Sequence, residues 1–197
     1  MSSHPRGKAQ LARGLPGLSF GRLHEVTGPG ALSFLALTVA AAGERAVWVL
    51  RFGTGEPHTH GLAAFLDPRQ LFFVHVHDAR DVLWAAETSL RSGSVASVLL
   101  ELPRPPSLTE SRRLQLAAEA GGSLGLILCP EHERPTASTT RWVCHPRPSP
   151  DLDSTRWQWA LNKNKEGTNG SWDVSWRWKT RSLSVVPASG GGPGGAP

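Results

Sequence analysis

The stretch RLHEVTGPGALSFLALTVAAA, residues 22–42, decides the fold of this chain of 197 residues. Its beginning, residues 23–26, predicts a short strand, and the Gly-Pro-Gly sequence at 28–30 predicts a tight loop. The apolar run at 31–42 follows directly and predicts a buried helix. A strand, a glycine loop and a helix in this order have the layout of a phosphate-binding loop, so the stretch predicts an α/β domain.

The loop lacks the residues that bind nucleotide. When the motif G-x-x-x-x-G-K-[ST] is counted from Gly28, its second glycine, lysine and hydroxyl positions hold Ser33, Phe34 and Leu35. Neither Phe34 nor Leu35 can neutralise phosphate charge or hold Mg²⁺. Backbone N–H groups at the helix start could attract ATP weakly. The alternative, which we favour, is a loop kept for its geometry, with no nucleotide, no cofactor and no catalytic residue.

Apolar runs of strand length alternate with helix patterns through the middle of the chain. The expected strands are 46–50, 71–76, 95–100 and 124–128, and the expected helices are about 62–66, 78–92 and 107–121. Asp78 is the expected cap of the second helix, whose apolar stripe is Val82, Leu83, Ala86 and Leu90. Ser107 and Glu110 predict a capping box for the third helix, which carries Leu108, Leu114, Ala117 and Ala118. This alternation predicts a doubly wound, mainly parallel sheet.

The pattern changes after residue 138 to strands joined by short loops. Trp157, Trp159 and Leu161 share one face of a strand, and residues 172, 174, 176 and 178 share one face of the next. The loop NKNKEGTNG between them is rich in turn formers. We expect an antiparallel extension, completed by a strand at 183–186 and by residues 141–144.

The predicted organisation has four parts. They are a flexible basic N-terminal segment (1–18), an α/β core (19–138), a tryptophan-rich β extension of the same domain (139–187) and a disordered glycine-rich tail (188–197). Of the net charge of +5, the two ends, 1–22 and 141–197, carry +4 each and the middle carries −3. A positive end can meet nucleic acid or an acidic protein surface, although scattered basic residues are more often solvated.

The composition predicts a cytoplasmic protein with no membrane segment. The N-terminal residues have no apolar core of a secretory signal, and the run at 31–42 is shorter than the roughly 18 residues of a membrane span. The two cysteines, Cys129 and Cys144, lack close metal-ligand spacing and fit a reducing compartment.

Several titratable residues are candidate sites with simpler explanations. Glu101 ends a predicted strand and could hold a metal, but a carboxylate at a strand end is more often solvated or ion-paired. Glu56 is the other acidic candidate, and the two cysteines lack a defined base. The histidine pairs 58/60 and 75/77 could form a metal site, but surface histidines are the simpler interpretation, and we expect no metal.

The tryptophan-rich extension is the most informative candidate for binding. Five of the eight tryptophans lie between residues 157 and 178, among basic residues. Such platforms bind single-stranded nucleic acid by stacking. One-sided placement also fits burial against the main sheet, which we favour for most of the tryptophans. The opposite face and the loop are then left for a partner, and the candidate interaction residues are Lys163, Lys165, Arg177, Lys179 and Arg181.

Four quoted segments together resemble a known family. LPGLSFGRLHEVTGPG (15–30) is similar to the first strand and phosphate loop of RecA-type recombinases. LRSGSVASVLLELP (90–103) is similar to their second nucleotide motif, with Glu101 in place of the Mg²⁺-linked aspartate. SRRLQLAAEAGGSLGLIL (111–128) and SWDVSWRW (171–178) resemble the ImuA family in particular, the RecA-like and SulA-related accessory proteins of bacterial SOS mutagenesis. The resemblance extends over about residues 15–186.

The resemblance implies a RecA-like fold and a role in the DNA-damage response. It implies work beside ImuB and an error-prone polymerase in translesion synthesis, contact with RecA, DNA contact that is direct or through RecA, and association with the nucleoid during DNA damage. Ser33, Phe34 and Leu35 differ from the glycine, lysine and hydroxyl residues of the nucleotide-binding motif. This difference argues against ATP chemistry, so we expect a non-catalytic interaction protein. The alternatives are a weak or DNA-dependent ATPase and a SulA-like inhibitor of cell division.

Overall fold

A computed structural model describes residues 7–51 and 57–187 as an α/β structure with one large sheet. The strands are β1 (Lys8–Ala9), β2 (Leu18–Ser19), β3 (Leu23–Thr27), β4 (Ala46–Arg51), β5 (Leu71–Val76), β6 (Ser97–Glu101), β7 (Leu124–Leu128), β8 (Thr140–Arg147), β9 (Ser154–Asn164), β10 (Gly170–Arg177) and β11 (Ser182–Val186). The helices are α1 (Ala31–Ala42), α2 (Thr59–Ala63), α3 (Ala79–Arg91) and α4 (Leu108–Gly121), with a 3₁₀ turn at Pro68–Gln70.

The sheet has nine strands in the order β11-β10-β9-β8-β3-β7-β6-β4-β5 among the described residues. The six strands from β8 to β5 are mutually parallel, and β9, β10 and β11 continue the sheet in antiparallel pairing. This architecture confirms the predicted α/β class, the mainly parallel sheet and the antiparallel C-terminal extension.

The helices cover both faces of the sheet, and each face has its own apolar core. The core on the α1 face contains the buried aromatic residues Phe34, Trp48, Trp142 and Trp159. The core on the α3 and α4 face contains Val82, Leu90, Leu114 and Ile127. Parallel strands that are covered on both faces read as continuous apolar runs, which is why the middle of the sequence has that pattern.

Local signals position α1, α3 and α4 as predicted, whereas α2 lies at Thr59–Ala63, three residues before the predicted range of about 62–66. α1 covers 31–42. The Asp78 side chain accepts hydrogen bonds from the N–H groups of residues 80 and 81 at the start of α3. Ser107 and Glu110 form the predicted capping box at the start of α4. The α4 face differs at one position, because Leu108 in the first turn is 57% exposed, beyond the edge of the core.

Residues 7–18, which belong to the predicted flexible N-terminal segment, pack against the core in the structure. β1 pairs with β2. Four apolar side chains of this segment, spaced three residues apart, are buried in the core on the α1 face: Ala9, Ala12, Leu15 and Leu18. These buried side chains anchor a segment whose composition alone predicted mobility. Residues 1–6 and the predicted tail at 188–197 lie outside the described residues.

β8 joins the parallel core to the antiparallel extension. The sequence pattern predicted residues 141–144 only as part of the antiparallel extension. In the structure β8 pairs in parallel with β3 and antiparallel with β9. The predicted boundary at residue 139 therefore lies within one continuous sheet. It marks the point after which consecutive strands are joined by short loops and no longer by helices.

A buried histidine on β3 makes stability sensitive to mild acid. His24 is fully buried, its Nε2–H donates to the Ser19 carbonyl over 3.1 Å, and its Nδ1 lies 2.7 Å from the Thr140 hydroxyl. Burial lowers the pKa of His24 from 6.5 to about 4. The folded protein therefore holds this ring neutral over a pH range in which the unfolded chain protonates it.

We expect His24 to cause no change in the free energy of unfolding above pH 6.5. As the pH decreases from 6.5 toward 4, protonation of His24 in the unfolded chain should lower this free energy by about 3 kcal/mol. Urea titrations across this pH range measure the change. His24→Asn, which has no titratable ring, should show a smaller pH slope despite its lower stability. An equal slope in the wild type and the variant would contradict this assignment.

Candidate functional site

The backbone of β8 lies directly across the phosphate-type loop. The Gly30 N–H, at the start of α1, donates a hydrogen bond of 2.9 Å to the Cys144 carbonyl. Gly28 has a φ of +93°, and a Cβ at this position would lie 2.5 Å from the same carbonyl oxygen. Glycine is needed at residue 28 for both reasons. The backbone of β8 thus lies in direct contact with the Gly-Pro-Gly loop.

The side chains that replace the lysine and hydroxyl residues of the motif are part of the core. Phe34 and Leu35 are each 1% exposed. The Phe34 ring centroid lies 5.1 Å from that of Trp142 and 4.8 Å from that of Trp159. Ser33 is half-buried. These contacts give the loop residues a packing role, so the start of α1 is joined to β8 and β9.

One of the acidic candidates, Glu101, lies on the second strand from the one that leads into the loop. Glu101 is half-buried at the end of β6, in register with Leu128 of β7. Because β7 separates β6 from β3, Glu101 does not lie on a strand adjacent to the loop. Glu56 lies outside the described residues.

The other titratable candidates remain apart. The rings of His58 and His60 lie 5.3 Å apart at the start of α2, while the second pair, 75/77, lies at the end of β5 and just beyond it. Within residues 7–51 and 57–187, no group of three or more His, Cys, Asp or Glu side chains is placed to hold a metal ion. Burial raises the pKa of Cys129 to about 12 and also raises the pKa of Cys144. Both thiols are therefore poor nucleophiles at neutral pH.

Two of the predicted interaction residues hold the protein's own backbone. Lys163 Nζ donates to the Thr136 carbonyl over 2.8 Å and to the Thr136 hydroxyl over 3.2 Å. Lys165 Nζ donates to the Ala137 carbonyl over 2.7 Å. Burial lowers the pKa of Lys163. Both ammonium groups attach the segment between β7 and β8 to the end of β9, which is a structural role.

The other three predicted interaction residues lie at the surface. Arg177 and Lys179 are near Asp151 and Asp153, each with a nitrogen–oxygen distance of 3.8 Å. Such long exposed ion pairs contribute about 0–1 kcal/mol and leave these cations accessible. Arg181 donates to the Ala63 carbonyl over 2.9 Å. The structure thus places these three residues together near the end of the extension, away from the two lysines.

The tryptophans of the extension are mostly in the core, as the sequence analysis favoured. Trp157, Trp159 and Trp176 are at most 4% exposed, and Trp172 is partly buried against the same core. Trp178 is 38% exposed, and its ring centroid lies 5.6 Å from that of Phe65. A stacking surface for several bases is therefore not exposed on these strands, and Trp178 alone has a substantial free face among these five.

A buried ion pair next to the loop was missed. Glu25 on β3 and Arg141 on β8 are 1% and 7% exposed, and Arg141 Nε donates to Glu25 Oε2 over 2.7 Å. Ser138 donates to the other carboxylate oxygen over 2.8 Å. Burial opposes ionisation, but hydrogen bonds from Thr136, Arg141 and Ser138 outweigh it and lower the pKa of Glu25. An acidic residue in the middle of a short strand that is expected to be buried is the signal that could have identified this pair.

A surface groove between α3 and α4 was also missed. It has a volume of about 740 Å³, and we call it the α3–α4 groove. It is lined by Arg80, Leu83, Trp84, Arg104, Glu110 and Arg113, together with Asp81. Trp84 is 66% exposed because it lies outside the apolar stripe of α3. That position on the helix could have been read from the sequence.

Gly30→Ala tests the close approach of β8 to the loop. A Cβ at Gly30 would lie 2.9 Å from the Trp157 ring and 3.1 Å from the Cys144 carbonyl. We expect a loss of about 1–3 kcal/mol in the free energy of unfolding because the strand must shift. Urea unfolding at a constant m value measures this change.

The matched control is Gly61→Ala in α2, where a Cβ meets nothing within 4 Å. This variant should be unchanged or more stable by up to about 1 kcal/mol, as expected for alanine in place of glycine in a helix. Equal stability of the two variants would contradict the described contact between the loop and β8.

None of the helices in the described ranges has the length and apolarity needed to cross a bilayer.

The comparison with known proteins identifies relatives that match most of the chain. The chain is 32% identical over 189 residues to the protein ImuA of Caulobacter vibrioides strain NA1000 / CB15N, with 79% of this chain and 75% of the relative covered. The protein ImuA of Caulobacter vibrioides strain ATCC 19089 / CIP 103742 / CB 15 matches with the same identity and coverage. No family model matches the chain.

Proposed function

Because this chain belongs to the ImuA family, we propose that it is a non-catalytic accessory protein in SOS-induced, error-prone translesion DNA synthesis. In this proposal a RecA-like body links RecA to a complex of ImuB and an error-prone polymerase. Family membership supports the role in SOS mutagenesis. The partners follow from the resemblance of the quoted segments.

One observation carries the non-catalytic part of the proposal. The Gly30 N–H, which in a nucleotide-binding loop would face phosphate, donates to the Cys144 carbonyl. A carbonyl oxygen at this place repels a phosphate oxygen, and the core position of Phe34 leaves no cation to offset that repulsion. These contacts support a domain that acts by binding partners and does not consume nucleotide.

The proposed mechanism is docking. A recombinase subunit recognises its neighbour through the surface of its own fold, so a related domain without ATP chemistry could bind RecA without extending a filament. Arg177, Lys179 and Arg181 lie together at the surface and are the residues of the extension that we assign to a partner. DNA contact, direct or through RecA, belongs to the same proposal.

Isothermal titration with MgATP tests the absence of nucleotide binding. We expect no saturable heat at millimolar ATP, because the loop has no lysine, no Mg²⁺ ligand and no free amide at Gly30. RecA titrated under the same conditions is the positive control. Saturable binding, or release of inorganic phosphate in the presence of DNA, would favour the alternative of a weak or DNA-dependent ATPase.

Pull-down with purified proteins tests the partners. The wild-type chain should retain RecA, ImuB or both, and should not retain the tubulin-like division protein. Replacement of Arg177, Lys179 and Arg181 by alanine should lower retention several-fold, with a larger effect at low salt. The charge-matched control replaces Arg13, Arg45 and Arg69, which are exposed elsewhere.

The outcomes separate the functions. Retention of the division protein alone would indicate a SulA-like inhibitor. If wild type retains RecA or ImuB and the triple variant does so equally well, the extension is not the docking surface. If the wild-type chain retains neither, the linking role is wrong.

A further inference from the structure

Trp84 exposes a large apolar surface that the fold does not use. It is 66% exposed on α3, whereas Val82 and Ala86 on the same helix are fully buried. A tryptophan in water adds nothing to the packing of the domain, and exposed tryptophans beside arginines are typical of protein-binding hot spots.

The arginines around Trp84 are held in place by carboxylates. Arg113 and Arg91 both donate to Glu87, over 2.7 Å and 3.0 Å. Arg104 makes two hydrogen bonds to Glu110, of 2.7 Å and 2.9 Å. These guanidinium groups remain more than half exposed, with side-chain exposures of 54–65%. Each guanidinium has five N–H donors, so donors remain for a ligand, and the internal pairs reduce the entropy lost on binding.

We propose that the α3–α4 groove binds a segment of a partner protein that carries a large apolar side chain flanked by carboxylates. The apolar side chain packs on Trp84 and Leu83, and the carboxylates bind the free donors of Arg80 and Arg113. The inference rests on the proposed function, since a protein that links two partners needs a second surface besides the end of the extension. The groove volume of about 740 Å³ suits a few side chains of such a segment.

The charge balance of the groove favours a protein over nucleic acid. Besides Arg80, Arg104 and Arg113, the groove contains Asp81 and Glu110, and the bonded residues Glu87 and Arg91 border it next to Arg113. Four arginines thus face three carboxylates. A phosphate backbone is bound by a clear excess of cations, and these carboxylates would repel it. A peptide can avoid them by placing one carboxylate opposite each guanidinium.

The indole N–H signals in a ¹H–¹⁵N spectrum provide a direct test, with Trp84 assigned through Trp84→Phe. The probe is a synthetic peptide with a central Leu-Phe pair flanked by glutamates. Its matched control has lysines in place of the glutamates. We expect a saturable shift of the Trp84 signal with the acidic peptide only. Trp178, which is 38% exposed on the extension, is the internal control and should not shift.

Arg113→Ala should weaken the acidic peptide at least tenfold, whereas Arg177→Ala should leave its affinity within twofold. The indole signals of the other tryptophans show whether each variant keeps the wild-type fold. They should have the same chemical shifts as in the wild-type spectrum. No shift of Trp84, equal shifts with both peptides, or a saturable shift with single-stranded oligothymidine would overturn the proposal.

A second experiment measures affinity for RecA and for ImuB. Trp84→Ala should lower the affinity for one of them at least tenfold, and Leu32→Ala, which removes a 47% exposed leucine from α1, should change neither by more than twofold. If the wild type binds neither protein, the proposed linking role fails. The peptide titration then still tests whether the groove binds an apolar segment flanked by carboxylates. If it binds either one and Trp84→Ala has no effect, the groove is not the docking surface.

Discussion

The structure depends on the passage of β8 over the loop between β3 and α1, where the Cys144 carbonyl accepts the Gly30 N–H. The first amides of a helix need partners from outside the helix, and a nucleotide-binding domain supplies phosphate for this purpose. Here the partner is the main chain of a neighbouring strand. The same strand brings Trp142 against Phe34, so one element satisfies the polar loop and buries the apolar side chain that replaces the lysine.

The position of β8 is fixed by interactions on both faces of the sheet. On the α1 face, its tryptophan packs with Phe34 of α1 and Trp172 of β10. On the other face, Arg141 pairs with Glu25 in the adjacent register position of β3, and the pair is almost fully buried. A buried ion pair costs desolvation energy and adds little net stability, but removal of one partner is costly, so the pair specifies which residues of β3 and β8 lie side by side. Lys163 and Lys165 extend this polar region into β9 by holding the backbone between β7 and β8. The two surfaces that we propose for partners lie elsewhere, at the end of the extension and between α3 and α4.

Local patterns in the sequence were sufficient for the helices, the caps and the class of the sheet. Asp78, Ser107 and Glu110 act within a few residues, and continuous apolar runs reflect burial on both faces, so both kinds of signal are visible without tertiary information. The sequence did not predict contacts between distant residues. Glu25 and Arg141 are 116 positions apart, and the two lysines were assigned to a partner because their internal acceptors are backbone carbonyls that no residue type reveals. For residues 7–18, composition was weighed above the three-residue spacing of the apolar side chains, so the packing of this segment against the core was not specified. Trp84 was overlooked because only the buried stripe of α3 was considered.

The central proposal is that the backbone of β8 takes the place of a phosphate at the loop, and the Gly30 amide tests it most directly. Hydrogen exchange followed by NMR, with and without MgATP, measures the protection of this single N–H. The account predicts slow exchange, comparable to the amides within the sheet, and no change in rate or chemical shift when MgATP is added. Exchange as rapid as that of a solvent-facing loop amide, or a shift of the Gly30 signal on addition of MgATP, would contradict it.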